Sequence, residues 1–552
     1  MKKKHLTLLL AMALAISALT GCGNYEDSGT ASALSTENSE EGADAIGDSN
    51  AADGEQEGAV SMYGDTYPLQ DAKEKSVTYY SKSNVPFSGY ADYTASPFHT
   101  KLAENVGVDI QFEFDPTGTS DDSNYNLLLT REKLPDIILH QFTNAQELLD
   151  DGIIIPLNDY LEDWAPNLYR YLEENPETKK AISTDDGTIY MFPWLREDSW
   201  LCTFRGLAVR KDWLEEQGVE IPANLDELDS IAHVFKDKYN ARFSTVVDWL
   251  YDGGISTAFN TWKEYYRDDN QNVHFGPAEE GWREYMQFMN KWYEEGILDP
   301  DIASVDGTVL KNKVLNDEIG IAYTSGNNVN TWMASLAEVG SDAEWVGILN
   351  PVKETGGITM LSQLDQLVTG RGAAITASCE DIELAMRVLD YAYSEEGILY
   401  YNYGTEGETY IIENGVPVFT SQILDDADGI SNALDKYTGC QWGTAGIQEK
   451  NFYIQKNSQL IVDCINTWTT NTATAEHKFP SVSPTSDEGL ELDSIQASIN
   501  SYVDEMFYKF IYGEIDIDDD GQWEKYLGEL ESIGLTKAIV IKQAQLDRYN
   551  AR

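Results

Sequence analysis

Val77-Thr78-Tyr79-Tyr80 reads as a short strand, a helical stretch runs up to Asn105, and Val108-Asp109-Ile110-Gln111-Phe112-Glu113-Phe114 then alternates with the period of two that a half-buried strand requires. Strand, helix, strand opens a parallel α/β sheet, because parallel neighbours need a crossover and a helix supplies it. Leu134-Pro135-Asp136-Ile137-Ile138-Leu139 adds a third buried strand, and residues Glu147 to Asp150 add a short helix after it.

A second set of signals begins past Thr188-Ile189-Tyr190-Met191-Phe192-Pro193, where Gly206-Leu207-Ala208-Val209-Arg210 reads as a strand with a helix at once behind it. Asp212 and Glu215 have the spacing of a capping box and Gly218 sits where a helix ends; Asn224 and Glu227 repeat the device before the apolar stripe Leu228, Ile231, Ala232 and Phe235. Arg371-Gly372-Ala373-Ala374-Ile375 reads as a strand leading to Ser378 and Asp381 as another box, with Ile382, Ala385, Met386 and Leu389 as the buried face. Ile495, Ile499, Tyr502, Val503, Met506, Phe507 and Phe510 mark a long packing helix, followed by another from Trp523 to Ile533. The class is α/β throughout.

Of 552 residues, 42% are hydrophobic and 11% aromatic, so a large core can form. Charge is lopsided: 38 Lys and Arg face 94 Asp and Glu, a net of -56. Nucleic-acid binding needs a basic stripe that releases counterions, and none is present, so that class is excluded along with adhesion to anionic lipid. The acidity serves solubility outside the cell.

Lys2, Lys3 and Lys4 form a positive n-region, and the apolar stretch from Leu6 to Leu19 is too short for a membrane span of about 20 residues. This is an export signal, residues 1–21. It runs into Leu19-Thr20-Gly21-Cys22, which resembles the bacterial lipobox, so Cys22 is the expected site of lipidation and the lipid chains the only membrane contact. From Gly23 to Ala72 there is no Lys or Arg and little large apolar side chain, and residues 22–75 are expected to be a disordered acidic linker with a reach of roughly 40 Å or more.

Cys202, Cys379, Cys440 and Cys464 remain, with no zinc-like spacing; buried thiols and disulfides stay equally open. No Gly-x-Ser-x-Gly elbow, His-Glu-x-x-His or phosphate loop occurs, and Gly370-Arg371-Gly372 lacks the third glycine of a dinucleotide fingerprint. Asp516, Asp518, Asp520 and Gly521 match the start of an EF-hand, but Leu527 stands where a bidentate Glu is required, so a solvated acidic turn is expected and no metal or cofactor is assigned.

Several strings in order carry a family resemblance: Leu134-Pro135-Asp136-Ile137, Gly152-Ile153-Ile154-Ile155-Pro156-Leu157 with Ala165-Pro166-Asn167, Asp186-Gly187-Thr188-Ile189-Tyr190, Val209-Arg210-Lys211-Asp212-Trp213-Leu214, and Ile221-Pro222 before Leu225-Asp226-Glu227-Leu228. Trp292-Tyr293-Glu294-Glu295-Gly296-Ile297-Leu298-Asp299-Pro300, Asn402-Tyr403-Gly404-Thr405-Glu406-Gly407 and Phe510-Ile511-Tyr512-Gly513-Glu514 complete them. The chain resembles the family 1 extracellular solute-binding lipoproteins of ABC importers, particularly the Gram-positive oligosaccharide binders. The resemblance implies a two-lobed, periplasmic-binding-protein-like type II α/β fold with discontinuous lobes, a hinge and C-terminal helices. Lobe 1 would comprise 76–192 and 372–410, lobe 2 193–371 and 411–552, with crossings near Gly187 to Pro193, Gly372 to Ile375 and Tyr403 to Tyr410. It further implies a monomer on the outer face of a Gram-positive cell membrane, whose partners are a carbohydrate and ABC permease subunits.

A sugar has apolar C–H faces and hydroxyl rims, so its binder needs flat aromatic rings beside Asp, Glu, Asn, Gln and Arg. In turn-like or hinge-proximal contexts these are Trp194 with Arg196, Asp248 with Trp249, Trp262, Ser325 and Asn327 before Trp332, Tyr403 with Glu406, and Trp442. Trp194 stands out because Pro193 ends the crossing strand and turns the next residues toward the cleft. Trp213 and Trp292 lie on helical stripes and are assigned to packing. The expected function is capture of an oligosaccharide without catalysis; a glycan-degrading surface lipoprotein and a peptide or amino-acid binder of the same shape are the alternatives.

Overall fold

A computed structural model describes residues 61–64, 66–81, 93–114, 120–440, 443–482 and 485–552, all within one unit, Gly58–Arg552. The export signal, Cys22 and Trp442 lie outside the described residues. Among those described, ten strands build the two larger sheets: β1 Ser76–Ser81, β2 Asp109–Phe114, β3 Ile137–Gln141, β4 Phe192–Arg196, β5 Arg205–Arg210, β6 Arg242–Thr245, β7 Ile319–Ser325, β8 Trp345–Gly347, β9 Val368–Ile375 and β10 Gly446–Gln448.

The opening alternation does what its period demands. β1 and β2 run parallel in register from Ser76 opposite Asp109 to Ser81 opposite Phe114, and β3 joins the other side of β1. The intervening helix Pro97–Val106 starts on Ser96, whose hydroxyl accepts from the His99 amide, and stops at Gly107, whose φ of 81° is a left-handed conformation that glycine adopts without cost. The sheet order is β10-β4-β9-β3-β1-β2, with β9 antiparallel to both neighbours. This is lobe 1.

Lobe 2 carries the sheet β8-β5-β7-β6. Behind it pack the helices Glu280–Glu294, Ser486–Ile511, Asp520–Ile533 and Leu535–Ala551, with Trp282, Trp292, Phe507, Phe510 and Tyr526 buried among them. Trp213 and Trp292 are core residues, as their stripes require. Asn224 caps helix Leu225–Tyr239, and Glu227 reaches back to the Ala223 amide at 2.8 Å. Asp212 behaves otherwise. It caps nothing, because the buried Arg210 guanidinium takes both its oxygens, at 2.9 and 2.7 Å.

The lobe boundaries differ from those the resemblance implied, the first and third falling later and the return earlier. β4 stays in lobe 1 through Arg196, so the first crossing is 197–204; the return lies at 362–367, before β9. Residues 411–440 and 443–448 belong with lobe 1, not lobe 2, because β10 pairs with β4 and Cys440, Ala445 and Ile447 enter the lobe 1 core; the third crossing follows Gln448. The end of the expected linker is also folded. Tyr63, Leu69 and Ala72 are buried in lobe 1, and Glu383 accepts from the Ser61 hydroxyl at 2.7 Å and the Met62 amide at 2.8 Å. A few aromatic and aliphatic anchors outweigh a polar average. Cys202, Cys379, Cys440 and Cys464 are all free thiols.

The last helix ties the lobes together a second time. Leu535, Ala538, Ile541 and Leu546 lie in the lobe 2 core, whereas Arg548 and Arg552 both pair with Asp185, on the lobe 1 segment that follows helix Pro176–Ala181. Arg552 also donates to the carbonyls of Lys180 at 2.8 Å and Ser183 at 2.6 Å, and Arg548 grips Glu488 at 3.0 and 2.5 Å. Among the described residues, no helix is long and apolar enough to cross a membrane. Asp185→Ala removes the carboxylate that both arginines share, while Glu488 and the Lys180 and Ser183 carbonyls remain, and is expected to cost about 1 kcal/mol, read as a lower denaturant midpoint; an unchanged midpoint would mean the Asp185 pairs carry no stability.

Candidate functional site

The two sheets meet where β4 runs out into lobe 2 and β5 begins. Trp194 and Arg196 are alternate residues of β4 and so share a face, and the Arg196 guanidinium carbon lies 4.7 Å from the Trp194 ring centroid. Arg196 donates to the Gln366 carbonyl at 2.7 Å and pairs with Asp365 at 2.8 Å; its side chain is only 10% exposed. Burial opposes its charge, but Asp365 more than compensates and holds the pKa above the ordinary arginine value. The Trp194 indole N–H is buried and has no partner.

Arg205 opens β5 from the lobe 2 side. Its guanidinium pairs with Asp252 at 2.6 Å and lies 5.1 Å from the Phe204 ring centroid and 5.0 Å from that of Trp249, while its Nε is left unpartnered. Asp252 is half-buried, and desolvation raises its carboxyl above the usual range. Tyr323 donates to it at 3.3 Å. The close approach needs Gly253 and Gly254: a Cβ on Gly253 would stand 2.2 Å from the Tyr323 oxygen, and one on Gly254 2.8 Å from its ring.

Lys478 closes the arrangement. Its ammonium donates to the Leu364 carbonyl and lies 5.9 Å from the Trp262 ring centroid; burial lowers its pKa, while Asp365, Glu264 and Asp252 act in the opposite sense. Glu264 is exposed to solvent, yet desolvation raises its carboxyl. The cluster sits at the crossings and brings together indole faces, paired charges and unpartnered donors.

The residues expected from sequence divide. Trp194 and Arg196 come together, and Trp249 comes together with Arg205. Trp262 is buried beneath Lys478, and its indole N–H is unpartnered. Ser325 pairs with Arg205 in the sheet register and caps helix Gly326–Glu338, with Asn327 exposed in its first turn; Asp248 is exposed beside Trp249. Trp332 is a correction: it is 1% exposed and edge-on to Trp345 at 5.3 Å, because Val329, Trp332 and Leu336 form the inward stripe of their helix. Tyr403 is another, at 0% exposure among Tyr410, Phe419 and Phe452, and Glu406 sits exposed in the turn before strand Tyr410–Glu413, away from this cluster. Sequence reasoning missed Arg205, Asp252, Glu264, Asp365 and Lys478. Only the Asp252-Gly253-Gly254 turn carried a local signal.

Asp518 and Asp520 accept from Gln287 at 2.7 Å and Arg283 at 2.9 Å, and Leu527 packs against the lobe 2 core. Asp229, His233 and Glu295 converge, but the Asp229 oxygens already accept from Trp292 at 2.6 Å and Lys291 at 2.8 Å.

A family model described as bacterial extracellular solute-binding protein matches residues 88–398. The fructooligosaccharide ABC transporter substrate-binding protein FusA of Streptococcus pneumoniae serotype 4 is 24% identical over 530 residues, 89% of this chain and 93% of that protein. Among solved structures, that of the alginate-binding protein AlgQ2 without calcium ion has a TM-score of 0.66 at 22% identity, over 87% of this chain and 99% of that one. FusA from S. pneumoniae in complex with kestose has a TM-score of 0.65 at 20% identity, over 86% and 100%. These likenesses show the two-lobed fold. Gly254→Ala is expected to push Tyr323 off Asp252 and cost about 1–3 kcal/mol by overpacking, read by denaturant titration beside Gly307→Ala, which has nothing within 4 Å of its Cβ; equal midpoints would mean the turn is not constrained by Tyr323.

Proposed function

We propose that this chain, which belongs to the bacterial extracellular solute-binding protein family, captures an oligosaccharide between its lobes and presents the closed form to an ABC importer, performing no chemistry on the solute. Cys22 carries the lipid that holds it at the outer face of the membrane, and the acidic residues after it act as the tether. The relatives support the carbohydrate reading: FusA is named for fructooligosaccharide and AlgQ2 for alginate.

The observation that carries the proposal is the placement of Trp194 with Arg196 on one side of the crossings and Trp249 with Arg205 on the other. Aromatic faces suit sugar C–H surfaces, and the unpartnered indole N–H of Trp194 suits a hydroxyl oxygen. Contacts made by both lobes exist together only when the cleft is closed, so the solute shifts the population toward that state by its differential affinity. Such a shape is what permease subunits can read.

Calorimetry of the full chain against oligosaccharide and peptide panels tests the reading, with X-ray scattering on the same samples. Heat and a smaller radius of gyration with a glycan are expected. Binding of peptides alone, or the release of a new reducing end, would defeat it in favour of a peptide binder or a glycan-degrading enzyme. Trp194→Ala is expected to weaken glycan affinity at least tenfold, about 1.4 kcal/mol, while lowering Tm by no more than about 4 °C. Intact affinity in a destabilised variant would return Trp194 to packing alone.

A further inference from the structure

We infer that the cleft is built for uncharged glycans and rejects those bearing uronate carboxylates, an inference that rests on the carbohydrate reading above. Its argument is the charge balance of the cluster. Two cations, Arg196 and Arg205, are each matched by a carboxylate, Asp365 and Asp252.

Neither guanidinium is vacant. The Arg196 Nη2 atom lies 2.8 Å from Asp365 and the Arg205 Nη2 atom 2.6 Å from Asp252, so the groups that would clamp a sugar carboxylate already hold protein carboxylates. A uronate could take Arg196 or Arg205 only by displacing Asp365 or Asp252 from ion pairs whose guanidinium groups are 10% and 13% exposed, exchanging one carboxylate for another with no net gain in pairing. Lys478 spends one of its donors on the Leu364 carbonyl and lies 5.9 Å from the Trp262 ring centroid. Beyond the cleft, a chain with 94 acidic against 38 basic residues repels an approaching anion.

A neutral sugar meets none of these costs. Its hydroxyls donate to the remaining lone pairs of Asp252 and Glu264, and its oxygens accept from the Arg205 Nε and the Trp194 indole N–H, both of which lack partners. No ion pair has to open. Charge selection is therefore exercised by carboxylates that shield the arginines as much as by groups that touch the guest.

The test titrates the full chain by calorimetry with neutral fructosyl and glucosyl tetrasaccharides and with a galacturonate tetrasaccharide, at about 20 and about 200 mM NaCl, where screening lengths differ severalfold. A neutral tetrasaccharide is expected to bind with an affinity that changes less than twofold between the two salts, and galacturonate at least a hundredfold more weakly. Asp365→Asn, which uncovers Arg196, is expected to narrow that gap at least threefold. Galacturonate bound as tightly as the neutral sugars, or more tightly at low salt, would overturn charge selection while leaving the carbohydrate reading intact. Heat from none of the glycans would overturn both.

Discussion

Two chain segments that pass side by side between the lobes set the geometry on which everything else depends. The Cys202 carbonyl accepts from the Asp365 amide at 2.8 Å, and one side chain, Gln363, completes the pairing: its oxygen accepts the amides of Phe204 and Arg205 at 2.8 and 3.1 Å. A side-chain amide thus stands where backbone pairing would otherwise continue from the lobe 1 sheet into lobe 2. Buried backbone donors must be satisfied, and Gln363 does so without imposing a strand's fixed geometry. The same pairing puts Asp365 beside Arg196 and brings Arg205 to the start of lobe 2, so the hinge and the site share residues.

That sharing explains why charged groups gather at the crossings. The carboxylates and guanidinium groups hold one another in position before any solute arrives, and order already in place is not charged against binding. A partly enclosed pair contributes little net stability by itself, but removing one member leaves an uncompensated charge. The arrangement is therefore better understood as a device for positioning aromatic rings and hydrogen-bonding groups than as a source of folding energy.

How far sequence leads depends on how local the cause is. The alternation at Val108 to Phe114 and the Asn224 cap are short-range effects, and both segments fold as their patterns require. The third crossing was misplaced because β10 has only three residues, too few for any period, and its membership in lobe 1 comes from pairing with Trp194 to Arg196, some 250 positions earlier. Trp332 follows Ser325-Gly326-Asn327 and reads as turn-proximal, yet the helical spacing of Val329, Trp332 and Leu336 buries it. Asp365 and Lys478 have no local signature, since each matters only for what the fold places opposite.

The clasp made by the last helix adds a mechanical condition. Rotation about the crossings has to stretch or remake the bonds that Arg548 and Arg552 form with lobe 1. Between them these side chains reach the carboxylate of Asp185 and the carbonyls of Lys180 and Ser183. A guanidinium presents five donors on a long, pliable stem, so partners can be exchanged among several oxygens while contact persists. A tie of that kind resists separation of the lobes more than it resists their rotation. The crossings and the clasp are thus two separate ties between the same lobes.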